Sequence, residues 1–464
     1  MIAATGPACH TGRTTTRVAL RRSRTAARRA RARCARQLVA WLALIAGAQI
    51  GTATAQTTEV LIDPPPPVDY DRGRNVSVQQ RARPEYDPLG VRIGAFVASP
   101  SVAIGAGATD NVYTDNNLKR GDVFLSVQPY LAVASNWNVH SVRITAAGDL
   151  KRYASETLKN ENAWYVYSQT RFDVVRDTSL LVDAQIDRAF ESPYNEDIAA
   201  NSLTPSTFLR TKIGVKGTYA QTRTRLIATL DRNSYRFSEI RFGDGTVRDQ
   251  GDRDRTIDRA SVIYEYGLSP ALSVYGQATG DIIDYASPTF FGRPNRDSKG
   301  FSAVLGTNFD IAGVARGTVG IGYTYRDYQA QGSYRDAQGV SVQARAEWFA
   351  TPLTTVNLSL QRRLMDVSLG NSGAYWDTRF GIRADHELLY NLIVSAGIEA
   401  IRRDYSELDT RTDASFAQVS GRYQATREFG LNVQLGYGRS RPTGSRLSDP
   451  FDELRLLVGV RLRR

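Results

Sequence analysis

The 464-residue chain carries 59 Lys and Arg against 47 Asp and Glu, a formal net charge of +12. Ten of the arginines lie within residues 1–37, which hold no acidic residue, so the rest has 49 basic and 47 acidic side chains, a net charge of +2. The excess of positive charge lies at the N-terminus. The rest of the chain is nearly neutral, which excludes a broadly basic, nucleic-acid-binding domain there. Both cysteines, Cys9 and Cys34, precede residue 38, which excludes disulfide and thiolate chemistry from the remainder.

The first 55 residues have the pattern of a secretory leader. An apolar run from Leu38 to Ala46 follows the arginines, and Ala53-Thr54-Ala55 supplies the small residues of a cleavage site. We predict a signal peptide over 1–55, because a nucleic-acid-binding arm or an organelle transit peptide would lack this apolar run. Residues 56–90 contain four consecutive prolines and little apolar periodicity, which predicts an extended periplasmic tether.

The stretch from Val123 to Leu150 holds two segments of alternating character around a polar turn at Ser135–Asn138. Its apolar side chains recur at every second position: Val123, Leu125, Val127, Leu131 and Val133 before the turn, then Val142, Ile144, Ala146 and Leu150. Successive side chains of a strand point to opposite faces. The pattern therefore predicts a β-hairpin with one apolar and one polar face.

The same hairpin pattern recurs over residues 91–464. Short turns are predicted near Trp137, Thr178, Thr222, Pro270, Ala312, Pro352, Leu389 and Glu428, and longer polar stretches separate one hairpin from the next. Eight short turns and nine long loops divide the region into 18 strands. The first and the last strand, about 94–105 and 454–463, can pair antiparallel because the number of strands is even.

Three observations favour a closed transmembrane β-barrel over a soluble β-sandwich. The predicted strands span about 10–14 residues, enough to cross a bilayer at a tilt. Short turns alternate with long loops, as periplasmic turns and extracellular loops do in outer-membrane barrels. Aromatic residues lie near strand ends at Tyr264, Tyr323, Trp348, Tyr375 and Trp376, where interfacial girdles occur. A β-propeller also repeats at this length, but each of its blades requires four strands rather than two.

Residues 83–153 resemble a known family. The chain reads Arg83-Pro84-Glu85-Tyr86-Asp87-Pro88-Leu89-Gly90, then Asp110-Asn111-Val112-Tyr113 at a loop entry and Ser135-x-Trp137-x-x-His140 at the first short turn. These motifs resemble the putative β-barrel porins of Gram-negative, especially alphaproteobacterial, outer membranes, which often accompany exopolysaccharide or capsule genes. The resemblance implies an integral outer-membrane protein and a role in the export or passage of polysaccharide. It implies no catalytic residue.

The residues themselves give little sign of catalysis, of a cofactor or of a metal site. His140 and His386 stand beside different predicted turns, and Ser141 points to the opposite face from His140. The acidic loop Asp249–Asp254 could hold Ca²⁺, but neighbouring arginines neutralise it, so a solvated loop is favoured. We therefore predict no enzyme, no cofactor and no metal, and we interpret the histidines as hydrogen-bonding residues at the membrane interface.

The polar faces of the predicted strands would line the lumen with charges of both signs. The candidate lumen-lining residues are Arg143, Arg171, Asp183, Lys212, Arg345, Glu347, Asp377, Arg379, Arg383 and Arg422. A slight basic excess on such a wall predicts a mild preference for anionic solutes, including acidic polysaccharides. A barrel of this size encloses an aqueous channel.

We therefore expect an outer-membrane channel that exports or passes exopolysaccharide, with both termini in the periplasm. A general diffusion porin is the nearest alternative, and a structural or adhesive barrel and an outer-membrane lipid hydrolase are alternatives of other classes. The expected partners are outer-membrane lipids and lipopolysaccharide, the outer-membrane assembly machinery, and polysaccharide or other hydrophilic solutes. The chain ends in Arg463-Arg464, without the terminal aromatic residue common in outer-membrane assembly signals.

Overall fold

The computed structural model describes residues 76–194, 201–367, 372–405, 407–444 and 448–464. The predicted signal peptide and most of the predicted tether lie outside these residues. No helix in the described part of the chain is long and apolar enough to cross a membrane.

Eighteen long strands, labelled β1 to β18 in chain order, form one sheet within the described residues. Their bounds are β1 Phe96–Thr109, β2 Asp122–Ser135, β3 Ser141–Tyr153, β4 Glu161–Val175, β5 Thr178–Phe190, β6 Thr207–Gln221, β7 Thr224–Phe237, β8 Arg255–Ser269, β9 Leu272–Tyr285, β10 Ser298–Ile311, β11 Ala315–Tyr328, β12 Ala337–Thr351, β13 Thr354–Asp366, β14 Ala374–Leu389, β15 Leu392–Tyr405, β16 Thr410–Gln424, β17 Phe429–Gly444 and β18 Phe451–Arg463. A short strand, Val91–Ile93, pairs with the beginning of β1. Two short 3₁₀ turns, Thr157–Lys159 and Gly251–Arg253, lie in loops.

The sheet closes on itself. Each strand pairs antiparallel with the next, and β1 pairs antiparallel with β18 from Ser101 opposite Arg463 to Thr109 opposite Arg455. Lipid cannot hydrogen-bond to the backbone groups of a free sheet edge, so closure is what allows strands to span a membrane. The predicted closed barrel of 18 strands is confirmed, and each repeat contributes two strands rather than the four of a propeller blade.

The two ends of the barrel differ. At the short-turn end the connections within hairpins contain two to five residues, such as Arg176–Asp177 and Asn136–His140. At the long-loop end they contain up to 17 residues, as between β7 and β8. All eight predicted turn positions lie in or directly beside a short turn, because each falls where the apolar alternation is interrupted.

Apolar side chains cover the outer face of the sheet. Leu305, Leu230 and Ile321 are 72%, 64% and 62% exposed, whereas Asn308 and Thr318, which point inward, are almost completely buried. This is the reverse of a soluble protein, and it is the arrangement that a barrel surrounded by lipid requires. In the β2–β3 hairpin, outward-pointing Val133 and Leu131 stand opposite Ile144 and Ala146.

Apolar packing also occurs inside the barrel, along one wall. Ile227, Ile263, Tyr275 and Val304 form one buried cluster on the inward faces of β7 to β10. A second cluster around Phe208 lies nearer the long-loop end, and its other buried members are Tyr235, Ile257, Ile283 and Tyr285. This half of the lumen is therefore filled by side chains, which leaves the free space beside β11 to β16.

The aromatic residues near strand ends divide into two groups. Tyr264, Tyr323 and Trp348 point outward and are 52%, 49% and 48% exposed, as a girdle requires. Tyr375 and Trp376 do not fit that expectation, because they are 1% and 8% exposed. Trp376 packs with Tyr334 of a long loop, and Tyr375 packs with Met365 and Tyr405.

Candidate channel lumen

A cavity of about 680 Å³ lies in the lumen beside β11 to β16. Glycines form part of its wall, among them Gly317 and the inward-facing Gly381 and Gly397. Three of the predicted lumen residues, Arg345, Glu347 and Arg383, line it. The other polar, charged and aromatic side chains that line the cavity are Gln80, Arg316, Asn357, Ser359, Ser395, Glu399, Phe416, Gln418 and Ser420.

Most charges of the cavity are neutralised by a neighbour. The Nε atom of Arg316 lies 2.6 Å from a carboxylate oxygen of Glu347, and Nε of Arg383 lies 2.9 Å from Oδ1 of Asp385. Arg345 differs, because its exposed side chain makes no hydrogen bond or ion pair with any described residue. The cavity therefore presents one guanidinium that is free to bind a solute.

Four more of the predicted lumen residues form ion pairs on the inner wall. Asp183 and Lys212 lie diagonally on neighbouring strands, with 3.6 Å between Oδ2 and Nζ. The fully buried Asp377 accepts a hydrogen bond from Nε of Arg379 at 2.6 Å, and Nε of Arg363 lies 3.7 Å from the same carboxylate. These pairs organise the wall and leave their charges little freedom to bind a solute.

The last three predicted residues lie nearer the short-turn end. Arg171 pairs with Asp173 at 2.7 Å and stays half exposed, and Arg143 is exposed on β3. Arg422 donates a hydrogen bond to the side-chain oxygen of Gln79, and its Nε has no partner. Gln79 belongs to the residues that precede the barrel, so Arg422 joins the wall to an inserted segment.

This inserted segment, Ser77–Tyr86, lies in the short-turn end of the lumen and is called the mouth segment below. The backbone N–H of Val78 donates to Oγ1 of Thr355 on β13 at 3.1 Å, and Val78 is completely buried. Nε2 of Gln79 donates to Oδ1 of Asp385 at 2.8 Å. The final part of the predicted tether is thus held against the inner wall by specific contacts.

Two arginines of the mouth segment share one carboxylate. Arg81 and Arg83 donate to the same oxygen of Glu387 at 2.8 and 2.9 Å, and both Arg83 and Glu387 are buried. Charge-assisted hydrogen bonds of this kind are roughly twice as strong as neutral ones. Arg427 and Arg463 of the barrel bind the backbone oxygens of Pro84 and Tyr86, each at 2.8 Å, which fixes the far end of the segment.

Tyr194 reaches across the lumen at the opposite end. Tyr194, in the loop between β5 and β6, donates its hydroxyl to Glu453 on β18 at 2.6 Å, and its ring packs 5.5 Å from that of Phe416. Burial and the Glu453 carboxylate raise the pKa of Tyr194, so the hydroxyl stays protonated. Gly438 makes room for this ring, since a Cβ atom there would lie 2.2 Å from it.

The two histidines of the barrel lie far apart in sequence, and each contacts a neighbouring strand beside a short turn. Nδ1 of His140 accepts the backbone N–H of Asp173 at 3.2 Å, and Nδ1 of His386 lies 2.9 Å from Oγ1 of Thr354. In the acidic loop, Asp252 pairs with Arg248 at 3.4 Å. No three His, Cys, Asp or Glu side chains of the described chain are arranged to hold a metal ion.

The contact residues of the mouth segment could not be identified from the sequence. Thr355, Asp385, Glu387 and Ser395 are ordinary inward-facing residues of β13 to β15, at alternate positions that suit a solvated lumen. One feature of the sequence could have indicated the contact: Asp385 and Glu387 are successive inward-facing acids on β14. Their negative charge complements a segment that carries two arginines.

The sequence from Arg83 to the C-terminus matches one family model. The model is described as putative beta-barrel porin 2, and the match covers residues 83–464. The chain belongs to this family. It is therefore a porin-like β-barrel of the outer membrane, as the motifs of residues 83–153 imply.

None of the curated proteins matches the chain in sequence. Among solved structures, the outer membrane protein OpdK from Pseudomonas aeruginosa is 14% identical with a TM-score of 0.42, over 79% of this chain and 99% of OpdK. A BenF-like porin from Pseudomonas fluorescens Pf-5 is 12% identical with a TM-score of 0.43, over 79% of this chain and 99% of that porin. OccK2 (OpdF) from Pseudomonas aeruginosa, solved in complex with glucuronate, is 14% identical with a TM-score of 0.42, over 79% and 98%.

Proposed function

We propose that this outer-membrane barrel is a channel for acidic hydrophilic solutes and that its biological cargo is an exopolysaccharide. The observation that carries the proposal is the free guanidinium of Arg345 in a polar cavity whose other arginines are paired. A fixed positive charge on the wall of a narrow aqueous passage lowers the energy of an anion and raises that of a cation. A second basic group, Arg422, meets only the amide of Gln79.

The polysaccharide part of the proposal follows from the resemblance of residues 83–153 to porins that accompany exopolysaccharide genes. The lumen suits such a cargo, because amide, hydroxyl and charged side chains on its wall can exchange hydrogen bonds with successive sugar hydroxyls. A general diffusion porin is the alternative. It would show the same preference for anions but no response to a glycan.

Conductance in planar bilayers tests both parts. In a KCl gradient, the reversal potential should indicate a preference for chloride, and Arg345→Gln should reduce that preference. Arg232→Gln is the matched control, because Arg232 is exposed and pairs with Asp258 at the outer face.

A cation-selective or non-conducting barrel would contradict the proposal. Block of the current by an acidic polysaccharide, but not by neutral dextran, would support the proposed cargo, and absence of block would favour the general porin.

We further propose that the short-turn end faces the periplasm, with both termini there, as the short connections of outer-membrane barrels do. A cysteine introduced at Asp244, in the longest of the loops, should react with a membrane-impermeant maleimide on intact cells. A cysteine at Arg223, in a short turn, should react only after the cells are broken. The opposite labelling would reverse the orientation.

A further inference from the structure

We propose that the lumen cavity is a binding site for a carboxylated pyranose, the sugar unit of an acidic polysaccharide. This inference rests on the proposed function and adds the chemistry of the recognised unit. The cavity volume of about 680 Å³ falls within the range of small-molecule sites, about 300–1,000 Å³. It would hold a short stretch of a polymer at one time, which suits a glycan that passes unit by unit.

The carboxylate partner is Arg345. Its guanidinium projects from β12 into the cavity and forms no ion pair with a described carboxylate, whereas Arg316 and Arg383 are each within 3 Å of one. A guanidinium presents donors in a planar fork that matches the two oxygens of a carboxylate. A sugar acid can therefore form a bidentate pair with Arg345 without displacing a protein partner.

The ring partner is Phe416 on β16. Its side chain lines the cavity, covers Gly436 and packs at an interplanar angle of 53° to Tyr194, so its orientation is fixed from two sides. A Cβ atom at Gly436 would lie 3.0 Å from the ring, so glycine lets the ring lie close to the wall. The C–H face of a pyranose is apolar and packs favourably on such an aromatic surface.

The hydroxyl partners surround these two groups. Gln418 follows Phe416 on the same face of β16, and Asn357 and Ser359 line the cavity from β13. Gln80 of the mouth segment lines it from the short-turn side. Amide and hydroxyl groups can both donate and accept, which is what a ring carrying several hydroxyls requires.

Calorimetry on the purified full-length barrel in detergent tests this site with galacturonate and galactose as probes. Galacturonate should bind more tightly than galactose by on the order of tenfold to a hundredfold, the effect of one charge-assisted pair. Arg345→Gln should remove this difference, while Phe416→Leu should weaken both sugars by a similar factor. Arg232→Gln, on the outer face, should change neither affinity.

Two results would overturn the site: equal affinity for the two sugars in the wild type, or an undiminished galacturonate preference in Arg345→Gln. Either result can be told apart from a failure of the proposed function. If the wild-type barrel prefers chloride in bilayers but does not discriminate between the sugars, only the site is wrong. If the barrel does not conduct, the proposed function fails, whatever the calorimetry shows.

The contacts of the mouth segment carry a second, independent inference. The geometry points to a displaceable plug, because Ser77–Tyr86 is held almost entirely by polar contacts and Val78 is its one buried apolar side chain. Water can replace such hydrogen bonds at a small net free-energy cost, whereas apolar packing cannot be exchanged in this way. The segment can therefore leave the lumen while the strands stay intact.

A reversible crosslink tests the plug. The backbone nitrogen of Val78 lies 3.1 Å from Oγ1 of Thr355, which makes these two positions the pair to replace with cysteines. With the disulfide shown by mass spectrometry, conductance should be low and should rise severalfold on reduction, and Val78→Cys alone should not respond. Equal conductance in the oxidised and reduced forms would show that solutes pass beside the segment and that it is not a plug.

Discussion

Arg83 donates to the carboxylate of Glu387 at 2.9 Å, although 304 positions of sequence separate the two residues. Both side chains are buried, and Arg81 donates to the same oxygen at 2.8 Å. One carboxylate on β14 thus neutralises two arginines of the mouth segment. The attachment of that segment depends on this group more than on any single backbone hydrogen bond.

We expect Glu387→Gln to loosen the mouth segment without unfolding the barrel. The amide cannot neutralise Arg81 and Arg83, and loss of one partner from a buried ion pair costs about 3–5 kcal/mol. Trypsin should therefore cleave after Arg81 faster in the variant than in the wild type, whereas the bond after Arg83 resists trypsin because Pro84 follows it. Glu347→Gln is the control, because Glu347 pairs with Arg316. Equal cleavage rates in the two variants would contradict the expectation.

Asp377→Asn should destabilise the whole barrel. The buried Asp377 faces the buried Arg363 and the largely buried Arg379, and both guanidiniums would remain beside a neutral amide. We expect a loss of about 3–5 kcal/mol in the free energy of unfolding. Asp258→Asn breaks an exposed pair with Arg232 and should cost at most about 1 kcal/mol. Urea unfolding in lipid vesicles measures both, and similar values for the two variants would contradict the assigned difference in burial.

Leu305→Arg tests which face of the sheet meets lipid. Leu305 lies in the middle of β10 and is 72% exposed on the outer face. An arginine near the middle of the bilayer should cost about 2–4 kcal/mol in unfolding free energy. Gln169→Arg, on the inner face of β4, should cost much less because its side chain enters water. If both substitutions cost the same, the assignment of the faces is wrong.

Lys159 should make stability depend on pH. Its ammonium donates to the backbone oxygen of Ser202 at 2.8 Å, and burial lowers the pKa of Lys159 to about 8. In the unfolded chain the pKa is about 10.4, so between these values the unfolded state binds more protons and stability rises with pH. Below about pH 8 the full cost of burying the charge remains. The wild type should gain more stability than Lys159→Met between pH 7 and 10, and parallel curves would contradict this.

The architecture was predictable because lipid imposes a local rule. Every second residue must be apolar in each strand, so Val342, Ala344 and Ala346 reveal their strand without any knowledge of their neighbours. The rule fails where inward-pointing side chains pack against other side chains of the protein and are therefore apolar as well. Ile227 and Ile263 are as apolar as their outward neighbours, yet they point inward and pack against Tyr275.

The site was predictable only in part. The inward acids and bases could be named from alternation, but their pairing depends on strand register. The register sets Arg363 directly opposite Asp377, whereas Arg345 has Ser359 opposite it and no acid. Contacts across the lumen are even harder to predict from the sequence. Tyr194 donates to Glu453, which lies 259 positions later, and no local pattern predicts that the two residues meet.

The mouth segment also constrains the order of assembly. Its partners stand on β13 to β16, and the backbone oxygen of Tyr86 is bound by Arg463, the penultimate residue. Contacts this distant in sequence form late, because a long intervening chain must first be ordered. Synthesis presents the segment first and the wall that receives it last. The lumen should therefore be most open while the barrel is still assembling, and docking of the segment would indicate that assembly is complete.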